Sequence, residues 1–224
     1  MKKILGVGLL VMLIAMVAFK ADKKKKVVFF GDSITEAGVK PGGYITVLKD
    51  KLAKENINDY ELVGAGIGGN KVYDLYLRME TDVLAQQPDI VVIYVGVNDV
   101  WHKRSFGTGT DPDKFEKFYR AIIKKLQAQN IKVVICTPAT IGERKNFTNA
   151  QDGELNQYSE IIRKIAKSES IPVVDLRALF TQYLQTNNPD DKDRGVLTVD
   201  GVHLNEKGNN MVADEMWKGI TQVK

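Results

Sequence analysis

Cysteine and histidine are nearly missing from this sequence. Its 224 residues include one cysteine, Cys136, and two histidines, His102 and His203. A lone cysteine cannot close an internal disulfide. One thiol and two imidazoles are also too few for the usual Cys/His zinc cluster, so no metal site is expected. A chain this long buries enough surface to fold without either device. Proline is scarce, at six residues, and no Pro/Gly-rich linker divides the chain. Its apolar share of 44% is ordinary for a globular protein and excludes wholesale disorder.

A basic surplus is missing too, once the chain is divided. Lys and Arg number 32 against 28 Asp and Glu, but residues 1–26 hold seven of the lysines and one aspartate. The remainder therefore carries 25 basic and 27 acidic groups. A mildly acidic body lacks the electrostatic footprint of a nucleic-acid binder.

The surplus belongs to the leader. Met1–Lys3 is basic, Ile4–Phe19 is an unbroken run of apolar residues and glycine, and Lys20 and Lys23–Lys26 follow. A basic start and an apolar run are the two main marks of a secretory signal. The run is short for a membrane span, which needs about 20 residues. No small-x-small cleavage site follows it, because Phe19 stands two before Ala21 and Met16 two before Ala18. No cysteine lies near its end, which excludes a bacterial lipoprotein anchor. The expectation is an extracytoplasmic protein (secreted, periplasmic or anchored) whose residues 1–26 are a signal peptide or N-terminal anchor. The alternative is a cytoplasmic protein tethered through residues 4–19, its lysines on anionic lipid.

The body alternates strand and helix patterns. Apolar runs at Val27–Phe30, Tyr60–Val63, Ile90–Val95, Lys132–Thr137 and Pro172–Val174 read as buried strands. Helical spacing fills Tyr44–Lys54, Val72–Gln86, the segment after the Asp111-Pro112 cap, Gln151–Ser168 and Glu206–Ile220. Such alternation implies a parallel sheet covered on both faces, a three-layer α/β/α sandwich over residues 27–224. Active sites of such sheets lie at the carboxyl ends of the strands.

Four blocks stand where that rule looks. Gly31-Asp32-Ser33 follows the first strand and presents a serine on a tight turn. Gly64 to Asn70 follows the second, with glycines at 64, 66, 68 and 69 whose backbone N–H groups could cradle an anion. The spacing is not that of a dinucleotide loop, so no cofactor is expected. Gly96-Val97-Asn98-Asp99 follows the third strand and offers an amide donor. Asp200-Gly201-Val202-His203 precedes the last helix, with a carboxylate able to hold an imidazole tautomer. Taken singly, each block is equally a cap, a turn or a surface histidine.

Together and in this order, the blocks resemble the GDSL/SGNH hydrolase family from residue 27 to about 220. The resemblance implies a five-stranded parallel sheet of flavodoxin-like order. It implies Ser33 as nucleophile, His203 as general base and Asp200 as its orienting carboxylate. The oxyanion donors would be the Ser33 N–H, the Gly69 N–H, chosen over that of Gly68, and the Asn98 side chain. The tail from Asp200 to Gly208 and the loop after Asn98 look most like acetyl-ester and carbohydrate-acetyl esterases of that family. Gly64 and Asn70-Lys71 depart from its commoner asparagine and aspartate-threonine.

The expected function is a serine hydrolase of short-acyl esters of carbohydrates or small alcohols. The partner is a small-molecule or glycan ester, and no nucleic acid. Lysophospholipase and thioesterase activity are the rivals within the family; a non-catalytic glycan- or lipid-binding protein is the rival outside it. Asp32 and His102 are expected at the substrate. Asp99 is expected to brace its loop, and Cys136 to sit in the core. Asp190, Asp191 and Asp193 lack the spacing of a calcium loop. The segments 100–112, 138–153 and 186–198 are expected as long loops around the pocket. Their few large apolar residues favour a short acyl chain.

Overall fold

The structure is a computed structural model that describes residues 23–223. Most of the leader, residues 1–22, lies outside the described residues, and so does the signal or anchor reading placed on it.

Five strands form one parallel sheet: β1 (Lys25–Gly31), β2 (Tyr60–Gly66), β3 (Ile90–Tyr94), β4 (Lys132–Cys136) and β5 (Val173–Val174). Their spatial order is β2-β1-β3-β4-β5, the flavodoxin-like order. The helices are α1 (Ser33–Gly38), α2 (Tyr44–Lys54), α3 (Val72–Asp82), α4 (Val97–Ser105), α5 (Pro112–Ala128), α6 (Asp152–Glu169), α7 (Leu176–Asn187) and α8 (Glu206–Thr221). A 3-10 turn at Leu84–Gln86 ends the segment read from sequence as one helix over Val72–Gln86.

The sheet is apolar on both faces because both are covered. Val27 and Phe29 of β1 pack with Tyr44 and Leu48 of α2, Phe180 of α7 and Met216 of α8. Val28 and Phe30 point the other way, toward Leu75 of α3, Tyr119 and Ile122 of α5, and Ile162 of α6. Strand alternation thus sends successive residues into two cores. Cys136 is fully buried in the first core and donates its S–H toward Met216 Sδ at 3.5 Å. Burial pushes its thiol pKa up, so it packs as a small apolar group.

Two expectations about loops are corrected. Residues 100–105 belong to α4, which leaves a loop only from Phe106 to Asp111. Residues 186 and 187 belong to α7, a helix not expected from the sequence. Its signal was available, since Leu176, Phe180 and Leu184 recur four apart and all are buried.

Candidate active site

β1 ends at Gly31 and the chain turns at once into α1. Asp32 shapes that turn, because its carboxylate accepts a hydrogen bond from the Ile34 N–H at 3.0 Å. Ser33 is thereby presented at the carboxyl end of the sheet. Asp32 itself is 1% exposed. Its expected contact with substrate is therefore corrected: the carboxylate is buried and spent on the backbone beside Ser33. Burial pushes its pKa up to about 7, against the Ile34 hydrogen bond.

The loop after β2 borders the serine. A Cβ added at Gly68 would lie 3.9 Å from Ser33 Cβ, and one at Gly69 would lie 3.8 Å from His102 Cε1. Gly69 has φ +76°, a conformation that favours glycine. Both glycines are therefore at the site, and His102 is beside them. Burial lowers the His102 pKa, as does the charge of Lys71. Lys71 is 7% exposed, and its Nζ donates to the Gly69 carbonyl at 3.3 Å.

Gly96, at φ +132°, makes the turn from β3 into α4. Asn98, 2% exposed, donates from Nδ2 to the Asn70 carbonyl at 3.1 Å. This bond joins the second and third blocks. Asp99 is fully buried and accepts from the Val72 N–H at 3.2 and 3.3 Å and from Thr110 Oγ1 at 2.5 Å. Burial still pushes its pKa up to about 6. These contacts tie α3, α4 and the following loop together, which is a brace.

The fourth block is a short turn that brings Thr198 and Leu204 together as an antiparallel bridge. His203 Nδ1 lies 2.7 Å from Asp200 Oδ2, and its Nε2 lies 2.9 Å from Ser33 Oγ. Asp200 Oδ1 accepts from the N–H groups of Val202 at 2.9 Å and His203 at 2.8 Å. Burial alone would raise the Asp200 pKa, but the His203 ring and these backbone donors hold it below the usual carboxylate range. A carboxylate at Nδ1 favours the tautomer protonated there. Nε2 is then an acceptor facing the serine hydroxyl, which can donate to it.

Glu143 was not foreseen. A glutamate between Gly142 and Arg144 in a loop reads as a solvated charge, yet this one is fully buried. Its carboxylate accepts from the N–H groups of Val196 (2.7 Å), Leu197 (2.7 Å) and Thr198 (2.6 Å), and from Thr198 Oγ1 at 2.9 Å. Thr198 Oγ1 in turn accepts from the Gly201 N–H at 3.0 Å. Glu143 thus clamps the segment that leads into Asp200 and His203. Trp101, one of the few large apolar residues in the segments expected around the pocket, packs its indole edge-on to His203 with centroids 6.2 Å apart.

The profile of the GDSL-like lipase/acylhydrolase family matches residues 29–211, which is most of the chain. The chain belongs to this family. As a GDSL-like acylhydrolase it is a carboxylic ester hydrolase, and relatives say more about which esters they cleave. An acetylxylan esterase of Geobacillus stearothermophilus is 29% identical over 212 residues, covering 87% of this chain and 93% of that protein. The crystal structure of the acetyl xylan esterase AlAXEase superposes with a TM-score of 0.86 at 62% identity, over 87% of this chain and 99% of that one. An uncharacterized Bacillus subtilis lipoprotein, YqeF, is 25% identical over 218 residues, covering 86% of this chain and 88% of that protein.

Among the described residues, no group of three or more His, Cys, Asp or Glu side chains could hold a metal ion. No described helix is long and apolar enough to cross a membrane. A cavity of about 540 Å³ lined by Lys132, Ile171 and Pro172 opens at the amino-terminal ends of β4 and β5. It is the wrong end of the sheet for chemistry at Ser33.

Proposed function

We propose that this chain removes acetyl groups from carbohydrates, acetylated xylo-oligosaccharides above all, through an acyl-enzyme on Ser33. The observation that carries the reading is the unbroken relay from Ser33 Oγ through the His203 ring to Asp200, at 2.9 and 2.7 Å. Ser33 attacks the ester carbonyl while His203 takes its proton. The oxyanion that forms is met by the N–H groups of Ser33 and Gly69 and by the Asn98 amide. His203 returns the proton to the leaving alcohol. Water activated by the same imidazole then releases acetate and frees Ser33.

Two observations favour a short acyl group. His102 stands beside Gly69, where the acyl chain would begin. The similar proteins described above include two esterases named for acetylated xylan. The leader at residues 1–26 and the similarity to a lipoprotein support a place outside the cytoplasm. The lipid-anchor chemistry does not carry over, since the sole cysteine is buried in β4. Residues 4–19 would supply any membrane tether.

A series of nitrophenyl esters of increasing acyl length, run beside a panel of acetylated sugars, tests the reading. Acetate should be the preferred acyl group, and acetylated xylo-oligosaccharides should be cleaved. Strong preference for chains above about eight carbons would replace it with a lysophospholipase or thioesterase reading.

A further inference from the structure

The proposed chemistry fixes which end of the ester lies where. The acyl oxygen must point at Gly69 and Asn98. The alkoxy oxygen must leave beside His203 Nε2, because that nitrogen returns the proton to it. The sugar therefore departs over the His203 side of Ser33.

A cavity borders His203. Trp101, whose ring edges against His203, is one of its walls, and Asp200 and Val202 of the fourth block are another. Asn149, Asp193, Arg144, Thr148 and Gln151 add further polar groups to the lining. Its volume of about 410 Å³ falls within the range of roughly 300–1,000 Å³ typical of small-molecule sites. Asp200, hydrogen-bonded to His203, and Trp101, packed against its ring, both belong to this wall, so the cavity borders the relay.

The lining matches one ligand chemistry. A pyranose ring offers C–H faces that pack on an indole, and a rim of hydroxyls that need polar partners. One aromatic wall opposed by carboxylate and guanidinium groups supplies both. A long acyl chain would instead want a continuous apolar lining. Arg144 is exposed at the rim, and among the described residues its guanidinium makes no ion pair. Its donors are therefore open to a ligand hydroxyl.

We propose that the cavity between Trp101 and Arg144 is the leaving-group subsite, and that it binds a sugar unit of the acetylated oligosaccharide. The inference rests on the acetyl-carbohydrate reading above and adds the residues that recognise the sugar.

The experiment compares kcat/KM for acetylated xylotriose with kcat/KM for 4-nitrophenyl acetate, in the wild type and in Arg144→Ala and Trp101→Ala. The small ester cannot fill the subsite, so the ratio of the two reports sugar recognition. The ratio should fall about tenfold in each variant, with the loss in KM for the oligosaccharide. Arg144→Ala is the cleaner variant, since Trp101→Ala also removes a neighbour of His203. An unchanged ratio in both variants, with the wild type active on the oligosaccharide, overturns the subsite and leaves the function standing. A wild type that cleaves 4-nitrophenyl acetate but no acetylated sugar overturns the carbohydrate reading and the subsite with it.

Discussion

Asn98 shows how one amide is made ready by its neighbours. Its side chain is nearly buried, and one Nδ2 hydrogen is committed to the Asn70 carbonyl. That bond fixes the plane of the amide and the direction of its other hydrogen, which the proposed mechanism gives to the oxyanion. Asn98→Ala is expected to lower kcat by about 10²–10³-fold, read in steady-state assays on an acetyl ester. A loss confined to KM would contradict an oxyanion role. The sequence points to Ser33, Asn98, Asp200 and His203 as candidates because the chemistry restricts which residue types can stand after which strand, and the fold brings Ser33, His203 and Asp200 into hydrogen-bond contact. Glu143 and Lys71 were not legible. Each is a charged residue in a loop, and its burial depends on a segment distant in sequence or on a local fold of the chain. Asp32 was misread for a related reason, since a motif names a residue without saying which way its carboxylate faces.

The elements most visible in the sequence were those with a full apolar stripe. α2 begins and ends as the spacing predicts, and α5 follows its Asp111-Pro112 cap. α4 was hidden because Asn98 and Asp99 read as a turn and only Val97 and Val100 are apolar and buried in it. The fourth block holds no regular element beyond the Thr198–Leu204 bridge; what orders it is the Glu143 clamp. The loop bearing Glu143 is itself anchored where the buried Arg177 donates to Asp152 at 2.6 Å and to the Ala139 carbonyl at 3.3 Å. Glu143→Gln places an N–H₂ group against backbone donors. It should destabilise the fold by about 3 kcal/mol, read by denaturant unfolding. Active sites that remain, counted by titration, should show kcat lowered roughly 10- to 100-fold with KM little changed. A full kcat per active site would show that the clamp supports folding alone.

The whole molecule follows from two-sided strands joined by helices, and the parallel three-layer arrangement was legible at that level. The strand order came with the family resemblance, since periodicity says nothing of which strand neighbours which. The balance of charge also acts at this scale. Asp32 and Asp99 are buried carboxylates with pKa values raised to about 7 and about 6. Each binds a proton more tightly in the folded chain than in the unfolded one. Their contribution to stability is complete below the unfolded value near 4 and is lost as pH rises through 6 and 7. Thermal unfolding should therefore move to lower temperature from about pH 5 to about pH 7.5. Asp32→Asn, which keeps an oxygen for the Ile34 N–H, should flatten that slope; an unchanged slope would show that Asp32 is not its source. The central claim is that the protein acts through Ser33, and covalent labelling with a serine-directed phosphonate tests it most directly. Peptide mass mapping should find one adduct, on Ser33, accompanied by loss of acetyl-ester hydrolysis and absent from Ser33→Ala. An adduct on another residue, or ester hydrolysis that survives in Ser33→Ala, would contradict the account.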